Sequence, residues 1–155
     1  MGRYYEDVKI GEKFTTTGRT ITEADLLFFA ALTGDYNPIH MDEEYSKKYT
    51  VYKTRVSYGL YTLSLAEGLA FRIGLFDGVH AMTIGWNNVK FILPVFIGDT
   101  LHLEFEVITK RKSKSRPTFG IVTLLYRVKN QKDKVVMEAE HIVMVPKKLG
   151  TNMTK

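Results

Sequence analysis

The chain has 155 residues, enough for one domain with a sizeable core and too few for two ordinary ones. With 45% apolar and 25% charged residues it has the balance of a globular chain rather than a disordered or membrane-spanning one, and the lack of cysteine excludes disulfides, thiol nucleophiles and cysteine-ligated metal. A net charge of +5 points to an anionic partner, such as a nucleic acid or a phosphorylated carrier molecule.

The opening "MGRYYEDVKIGEKF" has no apolar core of the kind a secretory signal needs, and no run approaches the ~20 apolar residues that cross a bilayer. The expectation is a cytoplasmic protein with no membrane partner. Residues 1–20 read as an extended N-terminal arm of a single domain over 1–155, and 147–155 as a basic tail. "ITEADLLFFAALTG" reads as a helix: Thr22 is an N-cap with Asp25 three places on, Leu26, Phe29 and Ala30 share a face, and Gly34 ends it. Asn37-Pro38 then marks a turn, and a short polar helix follows over 43–49.

"SYGLYTLSLAEGLAFRIGLF" is apolar on nearly every side, which predicts a helix inside the domain, wrapped by other elements. Gly68 and Gly74 weaken it locally and leave room for a sheet to approach. From residue 82 the period changes to two. "MTIGWNNVKFILPV", "DTLHLEFEVIT", "FGIVTLLYRVKN" and "VVMEAEHIVMVP" predict four strands joined as an antiparallel meander. A buried helix followed by a meander gives an α+β fold of hot dog form, one long helix inside one curved antiparallel sheet.

Chemistry concentrates in "GDYNPIHMDEEY". Asp35 and His40 stand five apart across a proline turn, so a fold-back brings a carboxylate and an imidazole to one cleft, where one holds a water and the other moves its proton. The bland reading is a capped surface turn, with Asn37 tying its own backbone. Asp35, His40 and Asp42 make a poor metal set, because no second histidine stands nearby. In "SYG", Gly59 falls in the first helical turn, where free N–H groups can receive a developing negative charge, and Ser57 reads equally as a plain N-cap. "KRKSKSRP" lacks the interleaved aromatics of a nucleic-acid surface and reads as a hairpin turn or the rim of a phosphate-holding cleft. His80, His102, His141 and Trp86 read as structural.

"FFAALTGDYNPIHMDEEY", "GLYTLSLAEGL", "VKFILPVFIGDTL" and "KSKSRPTFGIVTLLYRVKNQ" come in the order and spacing of MaoC-like dehydratases, and the chain resembles that family over nearly its whole length. The resemblance is most specific to the (R)-specific enoyl-CoA hydratases, through Gly-Asp-x-Asn-Pro-Ile-His. It implies a hot dog homodimer that hydrates trans-2-enoyl-CoA to (R)-3-hydroxyacyl-CoA, with coenzyme A as part of the substrate and no metal or other cofactor. It also implies that Asp35 and His40 are catalytic, that Gly59 N–H serves the oxyanion, and that Asn37 shapes the loop. Where many relatives have Ala-His-Gly, this chain has Ser57-Tyr58-Gly59, so Tyr58 is expected to reshape the acyl pocket and Ser57 to add a hydroxyl. Lys112, Lys114 and Arg116 are candidate coenzyme A phosphate contacts. Rival readings are a hydratase of carrier-protein or mesaconyl-type thioesters and a non-catalytic acyl-CoA-binding hot dog subunit.

Overall fold

The computed structural model describes residues 2–148, so the basic tail expected over 147–155 lies outside the described residues from 149 on. A 3₁₀ turn over Tyr5–Asp7 leads to β1 (Lys13–Thr15), β2 (Arg19–Thr20) and helices α1 (Glu23–Thr33), α2 (Pro38–Met41), α3 (Glu43–Tyr49) and α4 (Gly59–Phe71). Strands β3 (Met82–Phe91), β4 (Thr100–Lys112), β5 (Phe119–Lys129) and β6 (Val135–Pro146) follow. The hot dog form holds, with α4 laid against a six-stranded antiparallel sheet. No described helix is long and apolar enough to cross a membrane.

Three expectations change. The N-terminal arm is not simply extended: β1 pairs with β4 through Lys13–Glu106, Phe14–Phe105 and Thr15–Glu104, and β2 pairs beside it. That occupies the outer edge of β4. Strand β3 therefore joins the free edge of β6, giving the order β1-β4-β5-β6-β3 rather than a four-strand meander in chain order. Third, α4 is not enclosed all round. Thr62, Ala66 and Leu69 face the sheet and are buried, whereas Leu60 is 61% and Phe71 79% exposed. A Cβ at Gly68 would meet open space, so that glycine serves no close approach.

Alternation places the core side chains. Leu101, Leu103, Phe105 and Val107 of β4 point inward and are all nearly solvent-free, as the period of two requires. Each such leucine contributes about 1.5–3 kcal/mol by leaving water. Thr22 and Asp25 cap α1 reciprocally, and Gly34 at φ 77 closes it with its N–H on the Ala30 carbonyl. Burial alone would push the Asp25 carboxyl up, but the Arg19 guanidinium 2.5 Å away and the Thr22 N–H hold it down at about 2. Helix α1 and the loop after it are thereby fixed to the sheet edge.

Candidate active site

The left-handed turn at Gly34 throws the chain into a run of short-range bonds. Asp35 N–H donates to Thr33 Oγ1 (3.2 Å), Asn37 N–H to Asp35 Oδ1 (3.1 Å), and Ile39 N–H to Asn37 Oδ1 (3.3 Å). Asn37 is thus the N-cap of α2, with Pro38 at the first helical position where its missing N–H costs nothing. The turn expected at Asn37-Pro38 is a one-turn helix, and it carries His40 inward. Asp42 then caps α3, its Oδ1 accepting from Tyr45 N–H at 2.8 Å.

His40 is 9% exposed, while Asp35 is exposed. His40 Nδ1 lies 2.7 Å from the Val56 carbonyl oxygen. A carbonyl only accepts, so Nδ1 carries the hydrogen and Nε2 of the neutral ring is left with its lone pair. Val56 N–H in turn donates to the Ile39 carbonyl (3.1 Å), which closes a two-bond clip between the helix bearing His40 and the segment leading into α4. Arg55, beside this clip, reaches Glu23 at 2.6 and 2.8 Å and Glu43 at 3.4 Å, joining α1 and α3 to the same segment.

Asp35 and His40 meet through Tyr58. The Tyr58 hydroxyl donates to the Asp35 carbonyl (2.7 Å), and its ring lies 3.8 Å from the imidazole and 4.9 Å from Phe29, centroid to centroid. No hydrogen bond among the described residues joins the Asp35 carboxylate to His40. Tyr58 is 3% exposed, so it is a buried wall between the two rather than a projecting side chain. Ser57 N–H donates to the Val95 carbonyl (2.7 Å), and its buried Oγ has no hydrogen-bond partner among the described residues. Gly59 opens α4, where the backbone N–H has no intrahelical acceptor. A Cβ there would stand 3.0 Å from the Phe91 ring, so any larger residue would require that ring to shift by a few tenths of an ångström.

The basic residues lie elsewhere. Leu103, Val128, Met137 and Phe91 form one row across the sheet at the Gly59 end, whereas Lys112 pairs with Gly120 at the other. Nine residues of strand, roughly 30 Å, separate the two rows. The chain by itself therefore does not bring Lys112, Lys114 or Arg116 to His40. His102, Glu104 and Asp133 approach one another, but the two carboxylates already hold the Lys129 ammonium at 2.8 and 3.2 Å.

A loop carrying aspartate and histidine, closed against a helix start with a free N–H, is suited to placing a water beside a polarised carbonyl. The model of the MaoC like domain matches residues 7–130. The chain belongs to the MaoC-like family. This MaoC-like chain is 34% identical to an (R)-specific enoyl-CoA hydratase of Rhodospirillum rubrum over 144 residues, covering 92% of each protein. It is 32% identical to a 3-hydroxybutyryl-CoA dehydratase of Methylorubrum extorquens, over 94% of this chain and 85% of the other. Among solved structures, a protein from Archaeoglobus described as a monoamine oxidase regulatory protein superimposes with a TM-score of 0.88 at 36% identity, over 96% of this chain and 97% of that one.

One polar group in this MaoC-like chain escapes a motif search. Glu67, Thr83, Tyr126 and His141 come from α4, β3, β5 and β6 and meet at a cavity. The signal for it is present: Glu67 is the only charged residue of α4, and alternation along β6 turns His141 to the core side.

Proposed function

We propose that this MaoC-like protein is a hydro-lyase that adds water to trans-2-enoyl-CoA to give (R)-3-hydroxyacyl-CoA. The observation that supports this best is the His40 clip, which leaves Nε2 free as a base beside the Asp35 loop and the start of α4. Water lies between Nε2 and the Asp35 carboxylate. Nε2 takes one proton as the oxygen attacks the β carbon, the electron pair moves through the α carbon to the thioester oxygen, and Gly59 N–H stabilises the charge there. The imidazolium then returns the proton to the α carbon, so one water is added and both side chains are restored. Asp35 accepts the second O–H of the water and orients it. Ser57 Oγ, buried without a partner, supplies a further hydrogen bond to water or carbonyl.

The reaction moves only water and protons, and needs no metal or redox cofactor. The proposed state is a cytoplasmic homodimer. Among the described residues, strand β3 leaves one side of its backbone unpaired at the end of the sheet, and Met82, Ile84 and Phe91 on it are 40–51% exposed, which is the condition a second copy would relieve. The names of the two hydratase and dehydratase relatives support an acyl-CoA substrate for this chain. The test is loss of enoyl-thioester absorbance on crotonyl-CoA, followed by chiral analysis of the product. Turnover yielding the R alcohol supports the reading. Faster turnover on the same acyl group carried by carrier protein would replace coenzyme A as its carrier, and binding of acyl-CoA with no turnover would make it a binding subunit.

A further inference from the structure

Glu67, Thr83, His141 and Tyr126 come from α4, β3, β6 and β5, and their polar atoms form one string beside a cavity of about 150 Å³. Thr83 Oγ1 lies 3.4 Å from Glu67 Oε1 and 2.8 Å from His141 Nε2. His141 Nδ1 lies 3.0 Å from the Tyr126 hydroxyl and 3.5 Å from Glu67 Oε2. The one carboxyl therefore reaches both ring nitrogens, Nδ1 directly and Nε2 through Thr83. The Trp86 indole stacks flat on the imidazole at 4.1 Å and holds it in place.

This string can be filled with hydrogens in two directions. Burial pushes His141 down to about 4, so at neutral pH its ring carries one hydrogen, and burial pushes the Tyr126 hydroxyl up, so it keeps its own. With Glu67 ionised, Tyr126 O–H donates to Nδ1, Nε2–H to Thr83, and Thr83 O–H to Oε1. Oε2 is left over: it is out of water and accepts no hydrogen bond among the described residues. An ionised oxygen without a donor is costly. Among the described residues no lysine or arginine lines the cavity, and the one other acid in its walls is Asp77. Nothing there favours an anion, and burial pushes the Glu67 carboxyl above its ordinary value, with the Thr83 bond opposing. The Glu67 side chain as a whole is 46% exposed, which sets the acid at the boundary between solvent and cavity.

We propose that these four side chains are a pH-driven proton relay, whose direction is set by a single proton on Glu67. When Glu67 holds that proton the order reverses: Oε1–H donates to Thr83, Thr83 O–H to Nε2, and Nδ1–H to the Tyr126 oxygen. Oε2, now uncharged, shares the Nδ1 hydrogen across 3.5 Å. The count balances along the string. A water proton joins Tyr126, the Tyr126 hydrogen passes to Nδ1, the Nε2 hydrogen to Thr83, and the Thr83 hydrogen to Glu67. His141 is neutral in both settings and changes only the nitrogen that carries its hydrogen. The Tyr126 hydroxyl hydrogen turns into the cavity, which has room for a water to accept it. Because the folded state binds the Glu67 proton more tightly than the unfolded chain, the stability it contributes is complete at acid pH, below the ordinary glutamate value. It is lost as pH rises through the folded-state value.

The experiment follows the His141 ring nitrogens by nitrogen NMR on the full-length protein, from about pH 8.5 down to about pH 5, where the ring itself stays neutral. The wild type is expected to change from the Nε2–H to the Nδ1–H tautomer in one step, with its midpoint above the ordinary glutamate value. Glu67→Gln, whose amide donates to Thr83 at every pH, should show Nδ1–H throughout. Thr83→Val, which cuts the string, should hold one tautomer across the range. Thermal unfolding gives a second readout. Glu67→Gln should melt above the wild type at the alkaline end, and the difference should close toward the acid end. A single tautomer at every pH in the wild type would overturn the proposal. So would a ring that takes on both hydrogens in this range, or a tautomer change that persists in either variant. A melting difference that stays constant or widens on acidification would overturn it as well.

Discussion

Tyr58→Phe removes one oxygen and leaves the ring. The hydroxyl lost is the donor to the Asp35 carbonyl at 2.7 Å, while the contacts of the ring with His40 and Phe29 survive. A neutral hydrogen bond of this kind contributes a net of about 0.5–1.5 kcal/mol. Asp35 is exposed, so water can satisfy its freed carbonyl, and the cost should fall near the middle of that range, about 1 kcal/mol. For a chain of this size that is a fall of about 2–4 °C in Tm. The same bond holds the Asp35 loop against the wall shared with His40, so its loss should lower kcat by about fivefold, given that 1.36 kcal/mol corresponds to a factor of ten. KM should move little, because the variant alters the placement of the acid–base pair and not the acyl contacts. The assay is steady-state hydration of crotonyl-CoA beside thermal unfolding of both proteins. If Tm falls and kcat does not, Tyr58 only packs. If kcat falls as far as in Asp35→Asn, the hydroxyl takes part in the chemistry and the positioning argument fails.

Asp25 is held at about 2 against an ordinary carboxylate value near ~3.9, so the folded state binds its proton less readily than the unfolded one. Its contribution, on the order of 2 kcal/mol, should be complete above about pH 4 and fade as pH falls toward 2. Urea titrations of wild type and Asp25→Asn should therefore differ at pH 7 and converge near pH 2, and a constant difference would remove the Arg19–Asp25 account. A Cβ at Gly120 would stand 2.0 Å from the Tyr5 ring, which Lys110 covers at 4.3 Å. Gly120→Ala should cost about 1–3 kcal/mol and be relieved in Gly120→Ala/Tyr5→Ala; a wild-type melting curve for the single variant would show that the N-terminal arm is not seated on β5. Arg55→Met, which unties Glu23 and Glu43 from the segment before Ser57, should cost about 1 kcal/mol, discounted for the exposed carboxylates. A salt-independent loss would argue for packing of the arginine stem instead.

The elements themselves were legible in the pattern of residues. Capping at Thr22 and Asp25, the stop at Gly34 and the alternation along "VVMEAEHIVMVP" led to α1 and β6 almost to the residue. What stayed hidden depends on neighbours distant in sequence. That β3 lies beside β6 follows from β1 and β2 having taken the edge of β4, and nothing local to "MTIGWNNVKF" carries that. The exposed flank of α4 reads as core by composition, because an apolar surface awaiting a partner has the same sequence as one already buried. The loop was conspicuous through its Asp-x-Asn-Pro-x-His spacing, but the partner that fixes the His40 tautomer is a backbone carbonyl, Val56, and backbone atoms leave no mark in side-chain identity. Glu67 shows the opposite case. A single acid in an apolar helix was in plain view, and only the arrival of Thr83, Tyr126 and His141 from three strands gives it meaning.

The central claim is that the Asp35–His40 loop adds water to an enoyl thioester. It is tested most directly by following crotonyl-CoA absorbance with the wild type, Asp35→Asn and His40→Ala at equal concentration, each shown folded by its melting curve. The account predicts rapid loss in the wild type and turnover lower by about 10²–10⁴-fold in either variant. Wild-type turnover in both variants would contradict it.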